Sequence, residues 1–153
     1  MNIEENLKNH QIELEDSSTP AGNYVTYIIT NKLVFISGQL PFKQGKIPIT
    51  GVVGETVSSE DAIEMAKFCA LALISQLKSA CNGDLNKVSR VVKLGGFVAS
   101  CSSFTSQPTI INGASDIMVK VFGEQGKHSR FAVGVSSLPL NAPVEIEGIF
   151  ELK

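Results

Sequence analysis

A chain of 153 residues can bury one real core and is too short for two ordinary domains. With 13 basic against 15 acidic residues the net charge is only -2, and no basic stripe is present to track a nucleic-acid backbone, so nucleic acid is not expected as a partner. Cys69, Cys81 and Cys101 are odd in number and form no CxxC, which argues against a disulfide framework and against a zinc site. With no leader-like segment and no apolar run of about 18 residues, the chain is expected to be cytoplasmic and free of membrane.

Residues 1–22 read as an N-terminal extension and residues 23–153 as the domain. Ile3 to Lys8 can form two helical turns, Asp16 to Gly22 breaks regular structure, and Ile12 and Leu14 between them are apolar anchors for packing. Tyr24 to Thr30 and Leu33 to Ser37 are strand-like runs joined by a tight turn at Asn31-Lys32. Ser37-Gly38-Gln39-Leu40-Pro41 ends the second run, with Gly38 permitting close backbone approach and Pro41 stopping the ladder. Lys43 to Glu55 is a surface excursion whose apolar residues, Val53 among them, must lie against something.

Ser58 is a helix N-cap, and from Ala62 to Leu77 apolar residues recur at three- and four-residue spacing; Asn82-Gly83 ends that helix. Val88 to Ala99 is a strand containing Gly95-Gly96, a pair that signals a bulge or something close to the backbone. Thr109 to Phe122 carries a second helical stripe. Two further strands, Phe131 to Val135 and Val144 to Phe150, flank the proline turn Leu138 to Pro143.

This order predicts an α+β fold, a mixed sheet with two helices packed on one face. The other face needs cover, and another copy of the chain supplies it most simply. Period two puts Arg130, Ala132 and Gly134 on one side of their strand and Phe131, Val133 and Val135 on the other; in the last strand Glu145 and Glu147 oppose Val144, Ile146 and Phe150, so the arginine and the carboxylates are expected to border one polar side of an otherwise buried pair of strands. If the last two strands form a hairpin, Glu145 lies opposite a residue near Ser136, on the order of 20 Å from Arg130 at about 3.3 Å per residue. The two groups then meet only across subunits. His128, two residues before Arg130, shares its strand face and tunes the pocket if the strand extends that far; the expected reading is a solvated loop histidine.

The segment SRFAVGV…LP…PVEIEGIF resembles the C-terminal signature of the RidA/YjgF family, also called L-PSP endoribonuclease-like or reactive intermediate deaminases. NKLVFISGQLP at residues 31–41 and VVKLGGFV at residues 91–98 are similar to two more of its blocks. The resemblance implies a chorismate-mutase-like fold, a homotrimer with pockets at subunit interfaces, and hydrolysis of 2-imino acids without metal or organic cofactor. Carried over by position, it implies that Arg130 binds the substrate carboxylate, that Glu145 orients the attacking water, and that Tyr24, Ser37, Gly38 and the backbone at Ala132 line the pocket. Ala132 stands where many members have cysteine, which excludes thiol chemistry there. A non-catalytic trimer binding a small carboxylate is the alternative from a different class, and a ribonuclease lacks a basic groove.

Overall fold

The computed structural model describes residues 2–153. The period-two runs become β1 (Tyr27–Thr30), β2 (Leu33–Gln39), β3 (Val88–Ala99), β4 (Ser129–Val135) and β5 (Val144–Leu152), joined in one sheet of order β1-β2-β5-β3-β4. β1 and β2 turn at Asn31, whose φ of 52° suits the left-handed region that asparagine tolerates. β5 runs antiparallel to both β2 and β3, whereas β3 and β4 run parallel.

The expected hairpin between the last two strands does not form. β3 lies between them, pairing Leu94 with Arg130 on one side and Phe97 with Glu145 on the other. A parallel neighbour requires a crossover, and α3 (Gln107–Phe122) provides it between β3 and β4. The proline segment then carries the chain over the end of β3, where the Ala99 N–H donates to the Pro143 carbonyl at 2.9 Å. Proline therefore marks a bridge across one strand rather than a two-strand turn.

α2 (Ser59–Ala80) begins where the Ser58 side chain accepts from the Asp61 N–H, and it packs with α3 on one face of the sheet. Between them and the sheet lie Val34, Ile36, Leu94, Val98, Ile146 and Phe150, all buried. The 43–55 excursion is anchored by Val53, fully buried, whose N–H donates to the Ala99 carbonyl. No helix among the described residues is long and apolar enough to cross a membrane.

As expected, two helices, α2 and α3, pack on the sheet; among the described residues a third, short one lies against α3. α1 (Ile3–Asn9) buries Ile3 and Leu7, and the Asn6 side-chain amide donates to the Val121 carbonyl of α3 at 2.9 Å. Beyond it the chain crosses α2, where Ser75 donates to the Glu15 carbonyl at 2.7 Å and Gln76 to that of Ser18 at 2.9 Å. A seven-residue helix is marginal alone, and burial of its two apolar residues holds it in place.

The glycine pair in β3 makes no bulge, since the register with β5 runs unbroken from Lys93 to Val98. Both glycines are instead close-approach positions. Ile111 of α3 sits on Gly96, and the Phe131 ring sits on Gly95 from the opposite face. Among the described residues no helix lies on that opposite face. Ile28, Phe35, Ile149, Phe97, Phe131 and Val133 spread across it, with Ile28 54%, Phe35 41% and Val133 42% exposed.

Candidate functional site

Glu145 and the Ser37-Gly38 pair come together because β2 slips by one residue against β5. Ile36 pairs with Gly148, but Gln39 pairs with Ile146, so three residues on β2 span two on β5. The bulge brings the Gly38 backbone under the Glu145 carboxylate. A Cβ at position 38 would stand 3.0 Å from the carboxylate carbon and closer still to Oε1. Gln39, buried, turns back and donates from Nε2 to the Ser37 carbonyl at 3.0 Å, which fixes the bulge.

The carboxylate is half-buried on the helix-free face, and burial, followed by repulsion from Glu147, raises its pKa above the usual glutamate value. Glu147 itself is exposed. Ser37 donates its hydroxyl hydrogen to the Val25 carbonyl at 2.9 Å and its N–H to the Thr26 carbonyl at 2.9 Å, holding residues 24–26 beside β2. Tyr24 lies at the start of that segment, half-exposed, with its ring against Gly22. A cavity of about 260 Å3 borders this cluster and is lined by Val25, Phe35, Ser37, Glu147 and Ile149 among others.

Arg130 belongs to a second cluster on the other face of the sheet. Its strand neighbour Leu94 is fully buried beneath the helices, and its own side chain runs to α3. There Nη1 donates to Ser115 Oγ at 3.0 Å and Nη2 to the Pro108 carbonyl at 3.2 Å. Both acceptors are neutral, and among the described residues no carboxylate lies within 4.0 Å of the guanidinium. Ala132, half-buried, shares this side of β4 and faces Gly96 in the register.

His128 is not the solvated loop residue expected. It is half-buried, with Nδ1 2.6 Å from the Gly126 carbonyl and Nε2 3.0 Å from Ser115 Oγ. Burial lowers its pKa, and the Arg130 charge pushes the same way against the opposing pull of the Gly126 carbonyl. Ser115 is the residue missed from sequence. Nothing in the helical pattern marks it, and only the crossover sets it over Arg130.

Ser37, Gly38 and Glu145 are thus gathered at one end of the helix-free face, with Tyr24 just before the Val25 to which Ser37 bonds, and Arg130 lies with Ala132 on the helix side of an edge strand. One protomer does not unite them. The separation comes from opposite sheet faces with β3 between, rather than from distance along a hairpin; the arginine and the carboxylates do not share one polar side as expected, because parallel pairing with β3 turns Arg130 toward the helices and Phe131 and Val133 away from them. A larger cavity, about 530 Å3, lies elsewhere, between the N-terminal arm and α2, lined by Ile12, Leu14, Phe42, Lys43, Phe68 and Leu71 among others.

Two long helices backing one face of a five-stranded mixed sheet, with a third, short helix against α3 and an apolar opposite face, define an α+β protein of the chorismate-mutase-like class. Residues 4–151 match a family model described as "YjgF/chorismate_mutase-like, putative endoribonuclease", and the chain belongs to that family. It is 43% identical over 148 residues to Protein TCP17 of Trypanosoma cruzi, covering 96% of this chain and 92% of that one. The crystal structure of Atu1372 from Agrobacterium tumefaciens is 46% identical with a TM-score of 0.92, covering 99% of this chain and 92% of that one. A Shewanella oneidensis MR-1 structure described as a "putative endoribonuclease" is 31% identical with a TM-score of 0.95, covering 99% and 100% of the two chains.

Proposed function

We propose that this protein hydrolyses reactive 2-imino acids to 2-oxo acids and ammonia, in a pocket that Glu145 of one subunit and Arg130 of its neighbour complete, most simply in a homotrimer. The observation that carries this assignment is the pairing of two incomplete half-sites. A guanidinium without an acidic partner lies on one sheet face, and a half-buried carboxylate with a raised pKa lies on the other. The apolar helix-free face beside Glu145 gives a second copy a surface to bury.

In that pocket the substrate carboxylate pairs with the planar fork of Arg130. Glu145 accepts a proton from water as the water oxygen bonds to the C=N carbon, and the π electrons move to nitrogen, which takes up a proton. The proton that nitrogen takes up is the one Glu145 removed from water; Glu145 then takes the hydroxyl proton of the carbinolamine and passes it to nitrogen, and the C–N bond breaks with its electrons going to nitrogen. Ammonia leaves and the carbon keeps oxygen as a carbonyl, so one water is consumed per imine. A carboxylate whose pKa is raised toward neutrality is a stronger base at physiological pH than an ordinary one. Ser37 Oγ, having given its hydrogen to Val25, keeps lone pairs to accept from the amine N–H groups. Because β4 is an edge strand, backbone groups near Ala132 on its free side also have no ladder partner and suit polar contacts to the substrate.

The test is complementation. Arg130→Ala and Glu145→Ala are purified separately, then unfolded, mixed and refolded together, and ammonia release from 2-iminobutanoate formed in situ is measured above the uncatalysed rate. Each variant alone is expected to be inactive. Random mixing in a ring leaves about one site in four with both groups, so about a quarter of wild-type activity returns. Two inactive parents and an inactive mixture place both residues in one subunit's machinery and overturn the shared pocket. Saturable binding of 2-oxo acids with no ammonia release replaces the enzyme with a carboxylate-binding protein.

A further inference from the structure

The donors and acceptors around Arg130 have a fixed order. The Gly126 carbonyl can only accept, so His128 Nδ1 carries a hydrogen and donates it. In the neutral imidazole Nε2 is then bare, and the Ser115 hydroxyl donates to it. With its hydrogen turned toward His128, Ser115 Oγ offers its lone pairs to Arg130 Nη1. Together with the Pro108 carbonyl on Nη2, this spends one N–H from each terminal nitrogen and leaves three of the five guanidinium donors for a ligand.

We infer that Ser115 and His128 are positioning residues which hold the Arg130 guanidinium in one orientation for a carboxylate, and that they do so only while His128 is neutral. The inference rests on the proposed carboxylate site and assigns that site its orienting pair. A protonated His128 would donate from Nε2 to Ser115 Oγ, so that one hydroxyl oxygen would stand between two cations. The charged groups around the ring make this one-directional. From β4 it faces Arg130. From the preceding turn it has Lys127 and Glu124, exposed and paired with each other at 2.9 Å, and α3 offers neutral Ser115 with Asp116 exposed beside it. No carboxylate in contact with the ring would hold the imidazolium there, and the lowered pKa of His128 agrees.

The experiment uses the full chain, with pyruvate and 2-oxobutanoate as stable carboxylate probes in calorimetric titrations, and NMR of the His128 ring and the Arg130 guanidinium. Ser115→Ala is expected to weaken probe binding about tenfold, the scale of a lost hydrogen bond to a charged group, and to raise KM for the imine with kcat little changed. Ser115→Thr keeps the hydroxyl and restores binding. His128→Gln presents a non-titrating acceptor and binds as wild type at neutral pH. Wild-type affinity falls as the pH drops through the His128 pKa, and the Gln variant does not share that fall. Equal binding by Ser115→Ala and wild type, or equal acid loss in His128→Gln, overturns the inference and leaves the deaminase assignment standing. If wild type binds neither probe and releases no ammonia, the deaminase assignment falls and NMR decides the positioning role. Separate Arg130 Nη signals in wild type that merge in Ser115→Ala support a held guanidinium, and identical signals in both overturn it.

Discussion

The Glu145 carboxylate of β5 rests directly on the backbone of Gly38 in β2, in space that any other residue at 38 would occupy. Gly38 has no positive φ, so alanine is conformationally allowed there, and the obstacle is the carboxylate itself. Gly38→Ala is therefore expected to fold normally while Glu145 swings aside. Ammonia release should fall by about 10²-fold, the lower end of the 10²–10⁴-fold range of a general base, with a melting temperature within a few degrees of wild type. Unchanged activity with an unchanged fold would remove Glu145 from the chemistry.

Glu147 tunes Glu145. Both carboxylates extend from the same face of β5, and Glu147 adds to the upward shift that burial causes. If ionised Glu145 is the base, activity declines as the pH drops through its raised pKa. Glu147→Gln removes a neighbouring negative charge, eases that ionisation and moves the acid limb to lower pH, readable in a kcat/KM profile. Stability moves in the matching direction. A carboxyl whose folded pKa lies above its unfolded one opposes folding once ionised, a cost absent below the unfolded value and complete above the folded one. Glu145→Gln should gain stability relative to wild type as the pH rises through that window, which denaturant titrations at several pH values would measure.

Gly95 and Gly96 should respond unequally to alanine. At Gly96 the new methyl would stand 2.7 Å from Ile111 Cγ1 and Cδ1, inside the packed layer between α3 and the sheet. Overpacking there costs about 1–3 kcal/mol. At Gly95 the neighbours are the Phe131 ring at 2.7 Å and Glu147 Cγ at 2.8 Å, both on the helix-free face where side chains have room to turn. Thermal melts of the two variants should therefore place Gly96→Ala well below Gly95→Ala.

The helix-free face carries the prediction about assembly. Phe35 and Val133 project from it and contribute nothing to the core beneath the helices, so Phe35→Lys and Val133→Lys should leave the protomer folded by circular dichroism. Each should shift the protein from oligomer toward monomer in sedimentation, and ammonia release should fall with it, because Arg130 and Glu145 would no longer share a pocket. A monomeric wild type, or an active monomeric variant, would break the link between assembly and activity.

Much of the fold was legible along the chain because its determinants are local. Period-two alternation gave the strands, three- and four-residue spacing gave α2 and α3, and Ser58 acts as the expected cap. The alternation on β5 also separated Glu145 from the core side correctly, since side-chain direction in a strand follows from the backbone itself. The block of residues 37–41 announced a special backbone, and Gly38 beneath Glu145 is its reason. Pairing between strands is not local. Proline between two runs says that the chain turns, without saying how far it travels before it pairs again. The hairpin expected there is in fact a bridge over β3, which places Arg130 against α3 and makes β4 an edge. The same crossover brings Ser115, distant by fifteen positions, to the arginine, and half-buries the loop residue His128 against it. Sequence alone thus determined which residues form strands and helices and which way each side chain points from its own strand. Only the tertiary structure decided which faces and neighbours those side chains meet, because burial of a shared core fixes strand order through contacts between residues far apart in the chain.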